Sequence, residues 1–221
     1  PLLHEGDAPK TLTDMARAYI DRAEALQPSG PLTLLGWSLG GIIAHAMAAE
    51  AEARGREIET LLLLDAYPSD CWRAEPEPDE ATALRALLAI AGFDPEAHRE
   101  LDTRAAIMGF LKQHGHPLAH LPQAVQDGVI RSVRATNALV RSHREPVLRA
   151  ALSHVTALRD QTGSARHAAL WQPYAAGVHG IELDCSHPDL IAPDTLVGYL
   201  GVLDPARAGH PLQGMGAMTA G

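Results

Sequence analysis

The stretch LTLLGWSLGGIIAHAMA, residues 32 to 48, constrains the fold of this chain more than any other. A short apolar run feeds Gly36-Trp37-Ser38-Leu39-Gly40, and an alanine-rich run of high helix propensity follows to Arg54, with Gly55 as its stop. The chain must pass from strand to helix within a few residues. Larger side chains two positions before and after Ser38 are expected to collide across so sharp a turn, which accounts for Gly36 and Gly40. Such a turn lifts the serine hydroxyl clear of the sheet. It also aims the backbone N–H of Leu39, at the start of the helix, toward whatever reacts there. Ser38 is thus a candidate nucleophile.

The rest of the chain agrees with this local reading. Residues 11–26 have helical spacing, with Thr13 as a plausible cap. The runs 32–36 and 58–68 are nearly continuous in apolar residues and predict strands buried on both faces of a parallel sheet, the second ended by Pro68. Helical patterns near 81–92, 100–114 and 123–144 follow. In the third, Val125, Val129, Ile130, Val133, Ala138, Leu139 and Val140 form a broad apolar surface, most of it expected to pack on the sheet, with lining of an apolar channel as the alternative for the rest. Residues 151–160 and 178–184 predict two more strands, 192–203 a closing helix, and 205–221 a Gly-rich tail. Alternating strands and helices predict an α/β fold. Its expected division is a core of residues 1–68 and 149–204, a helical insertion at 69–148 and the tail. Pro1 in place of Met makes the chain read as a segment of something longer.

The formal net charge of −9 disfavours nucleic acid or an anionic membrane as the main partner. No apolar run has the length of a membrane span, and no signal peptide is evident. Cys71 and Cys185 make neither a disulfide framework nor a zinc pattern. A reducing, cytoplasmic setting is expected, with no metal.

A serine nucleophile needs a base and an orienting carboxylate. A strand, G-x-S-x-G and a helix together form the nucleophile elbow of α/β-hydrolases. In that fold the order along the chain is serine, acid, histidine. Of twelve histidines, only His187 lies just past the last predicted strand and before a helix. The others read as solvated or hydrogen-bonded surface residues. HGHPLAH, residues 114–120, fits no zinc spacing. Two acids compete, Asp65 after LLLL and Asp160 after VTALR, and spacing does not choose between them.

Taken together, QPSGPLTLLGWSLGGIIAHAMA, LLLLDAYP and WQPYAAGVHGIELDCSHPDLIAP resemble the thioesterase domains at the ends of nonribosomal peptide synthetases. The lead Gln-Pro-x-Gly-Pro and the Trp37-Ser38-Leu39 centre of the elbow are the most specific parts. Many related polyketide and editing thioesterases carry His where this chain has Trp37. The resemblance covers most of residues 11–203 and is weak in the insertion, which corresponds to the family's variable lid.

The resemblance implies Ser38 as nucleophile, His187 as base and Asp65, rather than Asp160, as the acid. It also implies an α/β-hydrolase fold with about three further strands, and a loop supplying a second oxyanion donor, before residue 1. Within this chain the Leu39 N–H is the expected first donor. The implied activity is release of a peptidyl or depsipeptidyl chain by macrocyclisation, with or without oligomerisation, or by hydrolysis. The substrate would arrive on the phosphopantetheine of a peptidyl carrier protein upstream, with no cofactor bound by the domain itself. A standalone editing thioesterase or other serine esterase, and a non-catalytic binding module of the same fold, are the alternatives.

Overall fold

The computed structural model describes residues 9–74, 77, 79–95, 97–159, 167–193, 195 and 196. Four strands, β1 (Leu32–Trp37), β2 (Ile58–Leu64), β3 (Ala151–Ala157) and β4 (Gly177–Leu183), form one sheet in the order β1-β2-β3-β4. Every neighbouring pair is parallel. Helices α1 (Leu12–Leu26) and α2 (Leu39–Ala53) cover one face. The α/β reading of the sequence therefore holds, with a fully parallel sheet among the described residues.

Helix α1 begins two residues before the position that a Thr13 cap implies. The cap is Thr11, not Thr13: its hydroxyl accepts the Asp14 N–H, and the Asp14 carboxylate accepts the Thr11 N–H in return. Only Thr11 stands three residues before an acidic partner, the spacing that a reciprocal capping box requires.

Strand β2 alternates Leu61 and Leu63 toward the helices with Leu62 and Leu64 toward the opposite face, all fully buried. The expectation of two buried faces holds for this half of β2. It fails for β1, where Leu32 and Leu34 are buried while Thr33 is exposed and Leu35 is 42% exposed. Among the described residues β1 pairs only with β2, and of its outward set only Trp37 finds apolar neighbours. Strand β2 also ends earlier than Pro68: Asp65 takes a positive φ of 45°, and its N–H turns to the Val155 carbonyl at 2.7 Å. A backbone reversal, rather than proline, stops the strand.

Between β2 and β3 lie α3 (Ser69–Ala74), α4 (Glu80–Ile90), α5 (Arg104–Gln113), a 3-10 turn at Pro117–His120 and α6 (Gln123–Ser142). This segment has its own apolar cluster of Leu84, Leu87, Leu88, Ile107 and Leu111, bordered by Phe93, Phe110, Val129 and Ile130. The apolar surface of α6 thus divides. Val129 and Ile130 join that cluster, Leu139 and Val140 join the core against the sheet, and Val125 is 44% exposed.

The two ends of the segment are tied together at its base. The Ser69 N–H donates to Glu145 at 2.6 Å, and Arg73 donates to the carbonyls of His143 and Arg141. A 3-10 helix at Ala168–Tyr174 precedes β4, and another at Pro188–Ile191 follows it. Most of the expected closing helix, and the tail, lie outside the described residues.

Candidate active site

Ser38 sits between β1 and α2 with φ 55° and ψ −132°. A non-glycine residue in that region carries strain of about 1–3 kcal/mol. The surroundings enforce it: the Ser38 N–H donates to the Leu64 carbonyl at 2.9 Å, and the Ser38 carbonyl accepts the Gly41 N–H at 2.9 Å. The Ser38 side chain makes no helix-capping bond. Leu39 is the first residue of α2, so its N–H is among the donors that no earlier helical carbonyl can satisfy.

The glycines divide differently from the sequence argument. A Cβ on Gly36 would strike the Gly40 carbonyl and the Gly41 backbone, so glycine is required there. A Cβ on Gly40 would meet nothing within 4 Å, whereas one on Gly41 would collide with the Ala66 Cβ. The close approach is between α2 and the turn after β2, and Gly41 makes it.

That turn carries Asp65. Trp37 pairs with Leu64, so Ser38 and Asp65 leave the carboxyl ends of adjacent strands. His187, four residues beyond β4, reaches back over β3, and its Nδ1 lies 2.6 Å from Asp65 Oδ2. Beside a carboxylate, Nδ1 carries the proton and donates. The other carboxylate oxygen accepts the Tyr67 hydroxyl at 2.6 Å and the Ala157 N–H at 3.4 Å. Asp65 is only 9% exposed. Burial by itself raises its pKa, but the bonds from His187, Tyr67 and Ala157 and the His187 charge together outweigh it and hold the carboxyl below the usual range.

The neighbouring Ala66 carbonyl accepts two buried donors, Trp171 Nε1–H at 2.7 Å and His154 Nε2–H at 2.9 Å. The Thr156 hydroxyl lies 3.1 Å from His154 Nδ1 and donates to it, which fixes a neutral tautomer. His154 is fully buried and its pKa is lowered, chiefly by that burial.

Ser38 is linked to the Asp65–His187 pair through Trp37. The Trp37 ring stacks on the His187 imidazole, with centroids 4.9 Å apart and planes at 30°. Its Nε1–H donates to the His187 carbonyl at 3.1 Å. Asp160, the competing acid, lies outside the described residues. Asp184 pairs with Arg159 at 3.0 Å, and Asp189 caps the Ser186 N–H at 2.9 Å.

Three histidines that read as surface residues are buried: His45, His143 and His154. His143 lies in the polar run RSHRE, which reads as surface, whereas His45 in IIAHAMA and His154 in ALSHVTA lie in apolar runs that could have marked them as buried. Tyr67, Trp171 and His154 around the acid turn also went unmarked by the sequence. Tyr67, two residues past an acid in DAYP, was the one local hint. Among the described residues no group of three or more His, Cys, Asp or Glu could hold a metal ion. No described helix is long and apolar enough to cross a membrane.

Comparison with known proteins gives the geometry its context. The chain is 36% identical over 194 residues, 86% of its length, to a dimodular nonribosomal peptide synthase of Bacillus subtilis (strain 168), of which it covers 8%. It spans between 1% and 13% of the length of the first curated relatives it matches. A four-domain nonribosomal peptide synthetase bound to AMP and glycine superposes with a TM-score of 0.73 at 20% identity, over 96% of this chain and 17% of that one. The thioesterase domain that cyclises the lipopeptide surfactin superposes with a TM-score of 0.57 at 20% identity, over 90% and 74%. At such identities these two likenesses speak to the fold. The family model for the thioesterase domain matches residues 4–204, nearly the whole chain. The chain therefore belongs to the thioesterase domain family, enzymes of the α/β-hydrolase fold.

Proposed function

We propose that this thioesterase releases a peptidyl or depsipeptidyl chain from the phosphopantetheine thioester of a carrier protein, through an ester on Ser38. The observation that carries the proposal is the 2.6 Å contact between His187 Nδ1 and Asp65, at the same sheet end as the strained elbow of Ser38. The synthetase relatives supply the class of substrate.

In the proposed reaction, His187 Nε2 takes the Ser38 proton while Oγ attacks the thioester carbonyl. Asp65 keeps Nδ1 protonated and stabilises the imidazolium. The Leu39 N–H faces the oxyanion. Collapse breaks the C–S bond, the imidazolium proton passes to the departing thiolate, and Ser38 is left acylated. A second nucleophile then surrenders its proton to His187, attacks the ester and releases the Ser38 oxygen, which regains that proton. Water gives the free acid. An amine or hydroxyl of the same peptide gives a ring, either directly or after several acyl units have been joined.

The helical segment 69–148 is proposed to act as a lid over the core of residues 1–68 and 149–204, governing water access. A segment of that size, by limiting water, favours ring closure over hydrolysis.

Incubation with a carrier-bound peptidyl thioester followed by intact-mass measurement tests the proposal. The native protein gains the acyl mass, and Ser38→Ala does not. An adduct on Ser38→Ala removes Ser38 from its role. Mass spectrometry of the products then separates acid, ring and oligomeric ring. Faster turnover of simple acyl esters than of carrier-bound peptide would favour an ordinary esterase.

A further inference from the structure

We propose that Trp37 is a positioning residue for His187, holding the plane of the imidazole in register with the strand end that carries Ser38; this rests on the reading of Ser38, Asp65 and His187 given above. A base that takes a proton from a neighbouring hydroxyl must present Nε2 at a fixed place and angle. The contact from Nδ1 to Asp65, at 2.6 Å, fixes one point of the ring. Trp37 adds two constraints of a different kind. Its face stacks on the imidazole at 4.9 Å and 30°, which opposes rotation out of plane. Its Nε1–H holds the His187 backbone carbonyl at 3.1 Å, which anchors the loop from which the ring projects.

The indole is itself fixed. Trp37 is the last residue of β1, in register with Leu64, and it packs against the cluster of Leu62, Leu64, Val155, Ala157 and Leu190. Its neighbour in sequence is Ser38. One residue therefore couples nucleophile and base, which arrive from segments about 150 positions apart. An aliphatic side chain could fill the same apolar space. An indole adds to that an aromatic face and an N–H donor.

Three proteins are compared with the native one, using a peptidyl N-acetylcysteamine thioester and a fluorophosphonate probe: Trp37→Phe, Trp37→Leu and His187→Ala. Trp37→Phe keeps a ring and drops the donor; Trp37→Leu drops both. The acylation rate is expected to fall about threefold in Trp37→Phe and about thirtyfold in Trp37→Leu, with KM within about twofold of native in both. The ring protons of His187, followed by NMR, should show an upfield ring-current shift in the native protein and in Trp37→Phe, and lose it in Trp37→Leu. That signature and the partial rescue by phenylalanine separate positioning from mere packing.

Native acylation in Trp37→Leu overturns the proposal, as does equal impairment in both Trp37 variants. Should Trp37→Leu fail to fold, absence of the ring-current shift from the native protein and Trp37→Phe overturns it equally. Abolished acylation in His187→Ala sustains the underlying triad whatever the Trp37 variants do. Native acylation in His187→Ala removes the triad reading itself.

Discussion

At the scale of single residues, the site depends on a few side chains whose neighbours are distant in sequence. Tyr67 donates a hydrogen bond to an almost fully buried carboxylate. A bond to a charged group contributes about 1.5–3 kcal/mol. Tyr67→Phe should therefore lower kcat about tenfold, leave KM unchanged, and move the Asp65 carboxyl back toward its ordinary pKa. Unaltered kcat in a steady-state assay would count against a role for the hydroxyl.

The glycines offer a sharper contrast. Gly41→Ala forces a methyl onto the Ala66 Cβ and should destabilise by more than about 2 kcal/mol, because backbone on both sides resists a shift. Gly40→Ala meets open space and should be neutral or stabilising by up to about 1 kcal/mol, as alanine favours helix. Denaturant melts of the two variants decide, and equal losses would refute the assignment of the close approach to Gly41. The motif pattern in the sequence points to Gly36 and Gly40, because it repeats symmetrically about Ser38. It is silent on Gly41, whose constraint comes from Ala66, 25 positions away. Ser38 and His187 stand out in the sequence because each follows a predicted strand, whereas Asp65 shares that position with Asp160 and is preferred only through the family resemblance. Trp37 and Tyr67 were visible as letters but not as partners, since their partners depend on strand register.

At the scale of elements, the boundary errors have one cause. The expected run 58–68 ignored the reversal at Asp65, and the expected cap ignored the reciprocal bonds of Thr11 and Asp14. The first depends on a backbone angle and the second on a polar spacing, Thr11 to Asp14, and hydrophobic patterning encodes neither. Periodicity succeeded for α4, α5 and α6, whose apolar stripes are long. It did not reveal that α6 serves two clusters.

That division has a measurable consequence. Leu88 is fully buried in the cluster between β2 and β3. Leu88→Ala should cost about 2–5 kcal/mol. Hydrogen exchange should accelerate in α4, α5 and the first half of α6 while the amides of β2 and β3 stay protected. Uniform acceleration across the chain would show instead that the segment and the sheet open as one unit.

At the scale of the whole molecule, buried titratable groups set an acid limit. His45, His143 and His154 all have pKa values lowered, chiefly by burial. Glu145 near His45 and His143 opposes the shift, while Arg73 and Arg144 near His143 reinforce it. The unfolded chain binds more protons than the folded one between those lowered values and about pH 6.5. Their contribution is complete above about pH 6.5 and is lost as pH falls through that window. Asp65, also lowered, adds a further loss below about pH 3.9. Tm should thus decline steadily from pH 7 to 5 and again below 4; a flat Tm from 7 to 5 would contradict the burial of the three imidazoles.

The bonds that join Ser69 to Glu145, and Arg73 to the carbonyls of Arg141 and His143, bring the two ends of a long excursion to neighbouring points on the core. A chain that departs and returns at one place can be swapped by two crossovers without moving any strand. Recombination at those points would treat the stretch as a cassette, free to diverge in length and composition while the strands beneath it keep their register.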